Sequence, residues 1–171
     1  MTDSTPVTRA LAALNIPHRL FRHPGPVHSL EQAAHERGQS PEQVVRSIVF
    51  RTGKDEYLMV LIAGARQVSW PALRRHLGQS RLTLASEAEV RAVTGYERGA
   101  VSPFGLPAPM RLLLDESVLN RKEISLGSGE RGATVFLRVE DLRRALGEVE
   151  VGPFGEGGNP AEDVTKITSK R

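Results

Sequence analysis

From Glu56 to Ile62 (EYLMVLI) the chain is apolar on both faces of an extended backbone. A strand without a polar face must be covered on both sides, so this one is expected at the centre of a sheet. The run Val44 to Phe50 precedes it across the turn Thr52-Gly53-Lys54-Asp55, and the two are expected to form a hairpin. In the first strand Val44, Arg46, Ile48 and Phe50 share one face, and Val45, Ser47, Val49 and Arg51 share the other. Arg46 thereby sits on an apolar face. A guanidinium there either reaches water at the strand's start or meets an anion, because an unpaired buried charge is very costly.

Helical patterns surround this hairpin. Ser4 or Thr5 before Pro6 reads as a cap, with Val7, Leu11 and Leu14 as the apolar stripe of a short helix that ends by Pro17. A strand is expected over His18 to Arg22, broken by His23-Pro24-Gly25-Pro26. Ser29 with Gln32 then caps a small helix through Arg37 and Gly38. Ser40-Pro41-Glu42-Gln43 carries a second capping pattern that feeds the first hairpin strand. Ser69 opens a helix bearing Trp70, Leu73 and Leu77 up to Gly78, and Ser86 with Glu89 opens one through Val93. Short strands are expected over Arg81 to Leu84, Leu112 to Leu114 ending at Asp115, Glu123 to Leu126, and Thr134 to Leu137. A helix over Asp141 to Leu146 follows, stopped by Gly147. Trp70 at helical spacing reads as a core residue, not a base-stacking platform.

Two stretches interrupt these periodicities with glycine. Gly95-Tyr96-Glu97-Arg98-Gly99-Ala100-Val101-Ser102-Pro103-Phe104-Gly105-Leu106-Pro107 must bend several times, and it can let a bound group approach its backbone. On composition alone it reads as a helix-to-strand connector with ordinary turn residues, and the cradle reading needs partners elsewhere in the chain. Gly127-Ser128-Gly129-Glu130-Arg131-Gly132 is the second, and such loops can present a row of N–H groups to an anion. From Val151 onward periodicity fades, so residues 1–151 are expected to form a single domain and 152–171 a disordered tail.

Composition narrows the chemistry. The chain has 171 residues and no cysteine, which excludes disulfides, thiolate metal sites and cysteine nucleophiles. No apolar run approaches the length of a membrane span, and a cytoplasmic location without membrane partners is the expectation. Of 23 basic residues 19 are Arg and 4 are Lys, a bias compatible with phosphate oxygens. They are scattered among 20 acidic residues, so a small phosphate contact fits better than a long duplex footprint. Phosphate loops, zinc-protease helices, dinucleotide fingerprints and nucleophile elbows are absent. The five histidines lack metal-ligand spacing, so no metal or cofactor is expected, although His23 and His28 share a loop. Asp115 at a strand end either orients a ligand hydroxyl or forms a turn.

The order of these motifs resembles the YbaK/ProX family of aminoacyl-tRNA deacylases. It runs from Arg22-His23-Pro24 through Gln43–Phe50, Thr94–Gly105 and Leu114-Asp115 to Gly127–Gly132. The chain is also similar to the editing domain inserted in bacterial prolyl-tRNA synthetases. The resemblance implies a mixed α/β, α+β-like fold with a curved, barrel-like sheet among short helices. It further implies a trans-acting hydrolase that cleaves the ester of mischarged tRNA, with the acceptor end as its substrate and a synthetase as a candidate partner. The family's G-x-x-x-P loop corresponds to Gly99-Ala100-Val101-Ser102-Pro103, and its usual strand lysine is replaced here by Arg46.

Arg46, Gly99 and Ser102 are therefore the expected catalytic set. His23, His28, Ala100, Val101, Pro103, Asp115, Ser128 and Gly129 are the expected substrate contacts. An ester is already activated, so a pocket that positions water and supplies oxyanion donors can hydrolyse it without a nucleophilic side chain. The other class compatible with the same residues is a non-catalytic tRNA- or nucleotide-binding module.

Overall fold

The computed structural model of the chain describes residues 3–157. In chain order these form α1 (Pro6–Ala13), β1 (Arg19–Arg22), α2 (Leu30–Glu36), a 3₁₀ turn (Pro41–Gln43), β2 (Val45–Gly53), β3 (Glu56–Ala63), β4 (Gln67–Val68) and α3 (Trp70–Leu77). They continue with β5 (Thr83–Leu84), α4 (Glu87–Thr94), β6 (Arg111–Asp115), a second 3₁₀ turn (Glu116–Asn120), β7 (Glu123–Gly127), β8 (Ala133–Arg138), α5 (Val139–Leu146), β9 (Glu150–Gly152) and β10 (Gly155–Glu156).

β3 is the centre of a five-stranded sheet of order β5-β2-β3-β6-β9. The hairpin with β2 is antiparallel from Val45 opposite Ala63 to Gly53 opposite Glu56, with an irregularity between Arg51 and Gly53. β6 lies parallel on the other side of β3. As the sequence pattern demands, the two faces of the hairpin enter two different cores. Val45, Val49, Met59 and Leu61 join the larger core with α1, β7, β8 and α5, while Phe50, Leu58, Val60 and Ile62 join a smaller one with Leu73 of α3. Trp70 packs against that smaller core, its ring edge-on to Phe50 at 5.2 Å.

β1, β8 and β7 make a separate antiparallel sheet. Among the described residues the ladder contact joining it to the five-stranded sheet is one parallel bridge, Val44 to Ser125. The sheets thus remain open, and the barrel-like closure implied by the family resemblance is corrected to separate open sheets, these two and the short pair β10-β4, in a mixed α/β fold. The physical reason lies in the strand ends: the chain bridges to β7 at Val44, just before β2 begins, and the next neighbour of β2, β5, is two residues long.

The caps are where the sequence puts them. Thr5 accepts from Thr8 N–H, Ser29 from Gln32 N–H, Ser69 from Ala72 N–H and Ser86 from Glu89 N–H. Leu14 is 52% exposed because it is the C-cap of α1, outside the stripe that buries Val7 and Leu11. The strand expected over Arg81 to Leu84 is reduced to its last two residues.

The expected tail start is also revised. β9 runs parallel to β6, β10 pairs with β4, and between them Phe154 is buried in the smaller core. Its N–H and that of Gly155 both donate to Asp115 Oδ1 at 2.8 Å, and its carbonyl accepts from Ser69 N–H. Gly and Pro hide this segment from any periodicity search, yet one aromatic side chain and one buried carboxylate hold it down. The remainder of the expected tail, 158–171, lies outside the described residues.

Replacing Phe154 by Ala is expected to cost about 3–5 kcal/mol, the range for truncating a buried aromatic. A urea unfolding curve of Phe154→Ala with an unchanged midpoint would show that the segment is not part of the cooperative unit.

Candidate functional site

Two glycine loops meet at the end of β7. An added Cβ at Gly127 would lie 2.1 Å from the Val101 carbonyl oxygen and 2.9 Å from Ala100 C, so only a bare backbone fits. Gly129 N–H donates to the Ala100 carbonyl at 3.0 Å, tying the loops together. Beneath them Tyr96 acts as a post: it is buried, and its hydroxyl donates to the Phe104 carbonyl at 2.6 Å. Burial raises its pKa, keeping the phenol a neutral donor. Side chains at Gly105 or Gly129 would collide with this ring, and both have positive φ (75° and 89°).

The joined loops wall a cavity of about 280 Å³. Its other walls are the start of β2 (Val44 to Ser47), the end of β7, the start of β8 and Arg37, the C-cap of α2. Val44, Val45, Val101, Leu126 and Ala133 supply its apolar surface, Ser47 and Thr134 are its hydroxyl residues, and its cations are Arg37, Arg46 and Arg98. No carboxylate, histidine or lysine is among the lining residues. A broader open groove of about 910 Å³, bordered by α4 and Arg131, shares Arg98 and Gly99 with it.

Each predicted residue can now be placed. Arg46, Gly99 and Val101 line the cavity, and Ala100 is buried in the loop contact behind it. Arg46 is half-buried, with its Nε donating to the Gly64 carbonyl at 2.9 Å and its Nη2 to the Arg66 carbonyl. It neither snorkels nor faces the cavity uncommitted, because the turn after β3 supplies two acceptors. Burial lowers its pKa, and no acidic partner opposes the shift.

Four predicted site residues, Ser102 of the expected catalytic set and three expected contacts, make other bonds. Ser102 is fully buried and its Oγ accepts from Phe104 N–H at 3.1 Å, shaping the turn instead of facing a ligand. Ser128 Oγ donates to the Ala133 carbonyl at 2.9 Å and accepts from Glu130 N–H, closing the second loop. Asp115 anchors Phe154 and Gly155, as described above, and stands 3.7 Å from the Arg66 guanidinium. His28 is exposed and binds Gln32 through its backbone N–H. Pro103 is buried in the loop and Gly129 packs on Tyr96 and Pro6, so neither borders the cavity.

His23 is set one layer back. Its ring lies between Glu36 Oε1 at 2.6 Å and Arg37 Nε at 3.0 Å. The Gln32 amide first, and His23 second, hold the Glu36 carboxyl below its ordinary pKa.

Sequence reasoning missed Arg37, Ser47 and Arg98. Ser47 Oγ is buried, lines the cavity and has no hydrogen-bond partner among the described residues. Its position beside Arg46 on the opposite strand face was readable; its lack of a partner was not. Arg37 read as a helix end, and only its hydrogen bonds to His23 and to Ser125 of β7 hold it at the cavity.

Comparisons with known proteins show the family and the fold. Residues 24–145 match the family described as the aminoacyl-tRNA editing domain. The prolyl-tRNA editing protein ProX of Acetoanaerobium sticklandii is 26% identical over 145 residues, covering 82% of this chain and 88% of that protein. The multifunctional Ser/Thr-tRNA deacylase ProXp-y of Escherichia coli K12 is 29% identical over 122 residues, 69% of this chain and 73% of that one. Proline–tRNA ligases also match, but the chain spans only 16–22% of their length. A crystal structure of a candidate trans-editing enzyme for prolyl-tRNA synthetase superposes with a TM-score of 0.78 at 26% identity, covering 91% of this chain and all of that one. The resemblance read from motif order is thereby borne out.

The loop contact makes a test by contrast. Gly127→Ala should destabilise the protein by about 1–3 kcal/mol, the cost of overpacking a tight contact. Gly99→Ala, at φ 92° but with nothing within 4 Å, should cost only the left-handed strain of about 1–2 kcal/mol. Thermal melts, with proteolysis of the 98–106 loop as a second readout, check the contrast: Gly127→Ala should open the loop, Gly99→Ala should not.

Proposed function

We propose, for a chain that belongs to the aminoacyl-tRNA editing domain family, the role of a trans-acting deacylase that hydrolyses the ester of mischarged tRNA. The observation that carries this reading is the cavity itself. It is small, it is walled by two glycine loops locked together, and its lining holds the Ser47 and Thr134 hydroxyls but no carboxylate, histidine or lysine that could activate them as general base. An aminoacyl ester needs neither, because its alcohol is a competent leaving group once water or a neighbouring ribose hydroxyl is held in line. A cavity of this kind selects by size and by hydrogen bonding, and it excludes bulk water from the reacting ester.

In this reading the loop Gly99–Pro103 cradles the ester with its backbone, and Ser47 supplies a hydroxyl to the bound substrate. Arg46 contributes fixed positive charge at the wall while pinning the 64–66 turn. An arginine stays protonated at any working pH, so its part is electrostatic and not proton transfer. The broader groove beside α4 offers the acceptor strand a path outward past Arg98 and Arg131. No helix among the described residues is long and apolar enough to cross a membrane. A cytoplasmic location, where charged tRNA is found, and association with a synthetase accord with the reading.

Release of amino acid from a panel of mischarged tRNAs tests it: tRNA for proline carrying alanine, cysteine or serine, and tRNA for alanine carrying serine. Wild type should turn over at least one member. Ser47→Ala should lower kcat/KM on that member by roughly three- to tenfold with no loss of melting temperature, since an unpaired buried hydroxyl contributes nothing to folding. Arg46→Ala should lower kcat/KM at least tenfold and also destabilise the turn. An intact panel, with the acceptor end still bound, would instead identify a binding module without catalysis.

A further inference from the structure

The cavity's three arginines differ in how they are committed. Arg98 is mostly exposed and pairs with Glu87 at 3.4 Å across the outer groove. Arg46 spends two nitrogens on main-chain carbonyls. Arg37 is held from behind. Its Nε donates to His23 Nε2 at 3.0 Å, and its Nη1 donates to Ser125 Oγ at 3.0 Å. His23 has a side chain only 2% exposed, and it donates from Nδ1 to Glu36 Oε1, which fixes Nε2 as the acceptor that Arg37 requires. Ser125 in turn donates to Gln39 Oε1 at 2.7 Å. Every contact in this chain orients the guanidinium, and none of them neutralises it by a direct carboxylate bond. Arg37 Nη2 makes no hydrogen bond within the described residues, and the residue borders the cavity.

Burial has pulled the Arg37 pKa down to about 10, so the fold bears a desolvation cost to keep this cation here. A buried, oriented guanidinium with one edge uncommitted is built to meet an anion. The substrate class proposed above narrows which one. At the end of an aminoacyl-tRNA the ester is neutral and the amino group is cationic, so the anions every member shares are the phosphodiesters beside the terminal nucleotide.

We propose that Arg37 is a substrate-holding residue that takes the phosphate of the terminal nucleotide, with His23, Glu36 and Ser125 as its positioning residues. This rests on the deacylase reading for the identity of the ligand. Its charge places the nucleotide's 5′ side toward α2 and leaves the ester for the glycine loops. His23, expected from its sequence to touch substrate, then acts through Arg37.

Binding of adenosine 5′-monophosphate and of adenosine, measured by titration calorimetry or by NMR shifts, tests the proposal apart from turnover. Wild type should bind the monophosphate at least tenfold more tightly than the nucleoside. In Arg37→Gln, and in Arg37→Met, whose apolar chain avoids burying an unpaired amide, that preference should fall to within about twofold while adenosine binding is kept. Arg37→Lys should fall between, because one ammonium cannot hold His23 and Ser125 and also reach the phosphate. Ser125→Ala should weaken the monophosphate preference without abolishing it. On a hydrolysed tRNA the Arg37 variants should raise KM more than they lower kcat. An unchanged monophosphate preference in folded Arg37→Met, no preference in wild type, or a loss confined to kcat would each overturn the proposal. An inactive wild type that still prefers the monophosphate through Arg37 would overturn the deacylase reading and leave the phosphate contact standing.

Discussion

The contact between Gly127 and the Ala100–Val101 peptide is the constraint on which the site depends. Backbone pressed against backbone at this distance leaves no room for even a methyl group, so the end of β7 and the loop after α4 behave as one wall. Tyr96 makes that wall rigid from below. Its ring fills the space that glycine leaves at 105 and 129, and its hydroxyl satisfies a buried carbonyl that would otherwise be orphaned. On the deacylase reading, a cavity that selects its substrate by size needs walls that do not yield, and close packing of main chain is stiffer than any arrangement of flexible side chains.

A division of labour follows from this. The serines and the aspartate near the site mostly serve the backbone: Ser102, Ser128 and Asp115 each close a turn or anchor a segment. What faces the cavity is apolar surface, one unpaired hydroxyl and positive charge. Keeping half-buried arginines at a small cavity is costly, and the structure offsets the cost with neutral partners: two carbonyls for Arg46, an imidazole and a hydroxyl for Arg37. Neutral acceptors satisfy the donors while leaving the positive field available to a ligand, whereas a carboxylate in the same place would have cancelled it.

The departures from expectation have a common cause. The barrel did not close because the chain just before β2 joins β7 through one bridge only. The tail was not a tail to position 157, because Phe154 finds a core and Asp115 finds two amides. Both outcomes depend on residues far apart in the chain: Asp115 and Phe154 are separated by 39 positions. No local pattern can report a partner at that distance.

Local physics was legible from the residues alone. Four serine or threonine caps, the turn between the hairpin strands, the doubly buried β3, the two faces of β2 and the pair of glycine loops all follow from side-chain period, capping chemistry and the freedom of glycine, which act within a few residues. The order of the motifs was likewise enough to place the family. Tertiary structure alone decided which hydroxyls face the cavity, that Arg46 is bound by the turn after β3, and that Arg37 enters the site with His23 behind it. Those are questions of which donor meets which acceptor across the fold, and a hydrogen bond formed 88 residues apart, as between Arg37 and Ser125, exists only once the sheets and helices have been packed together.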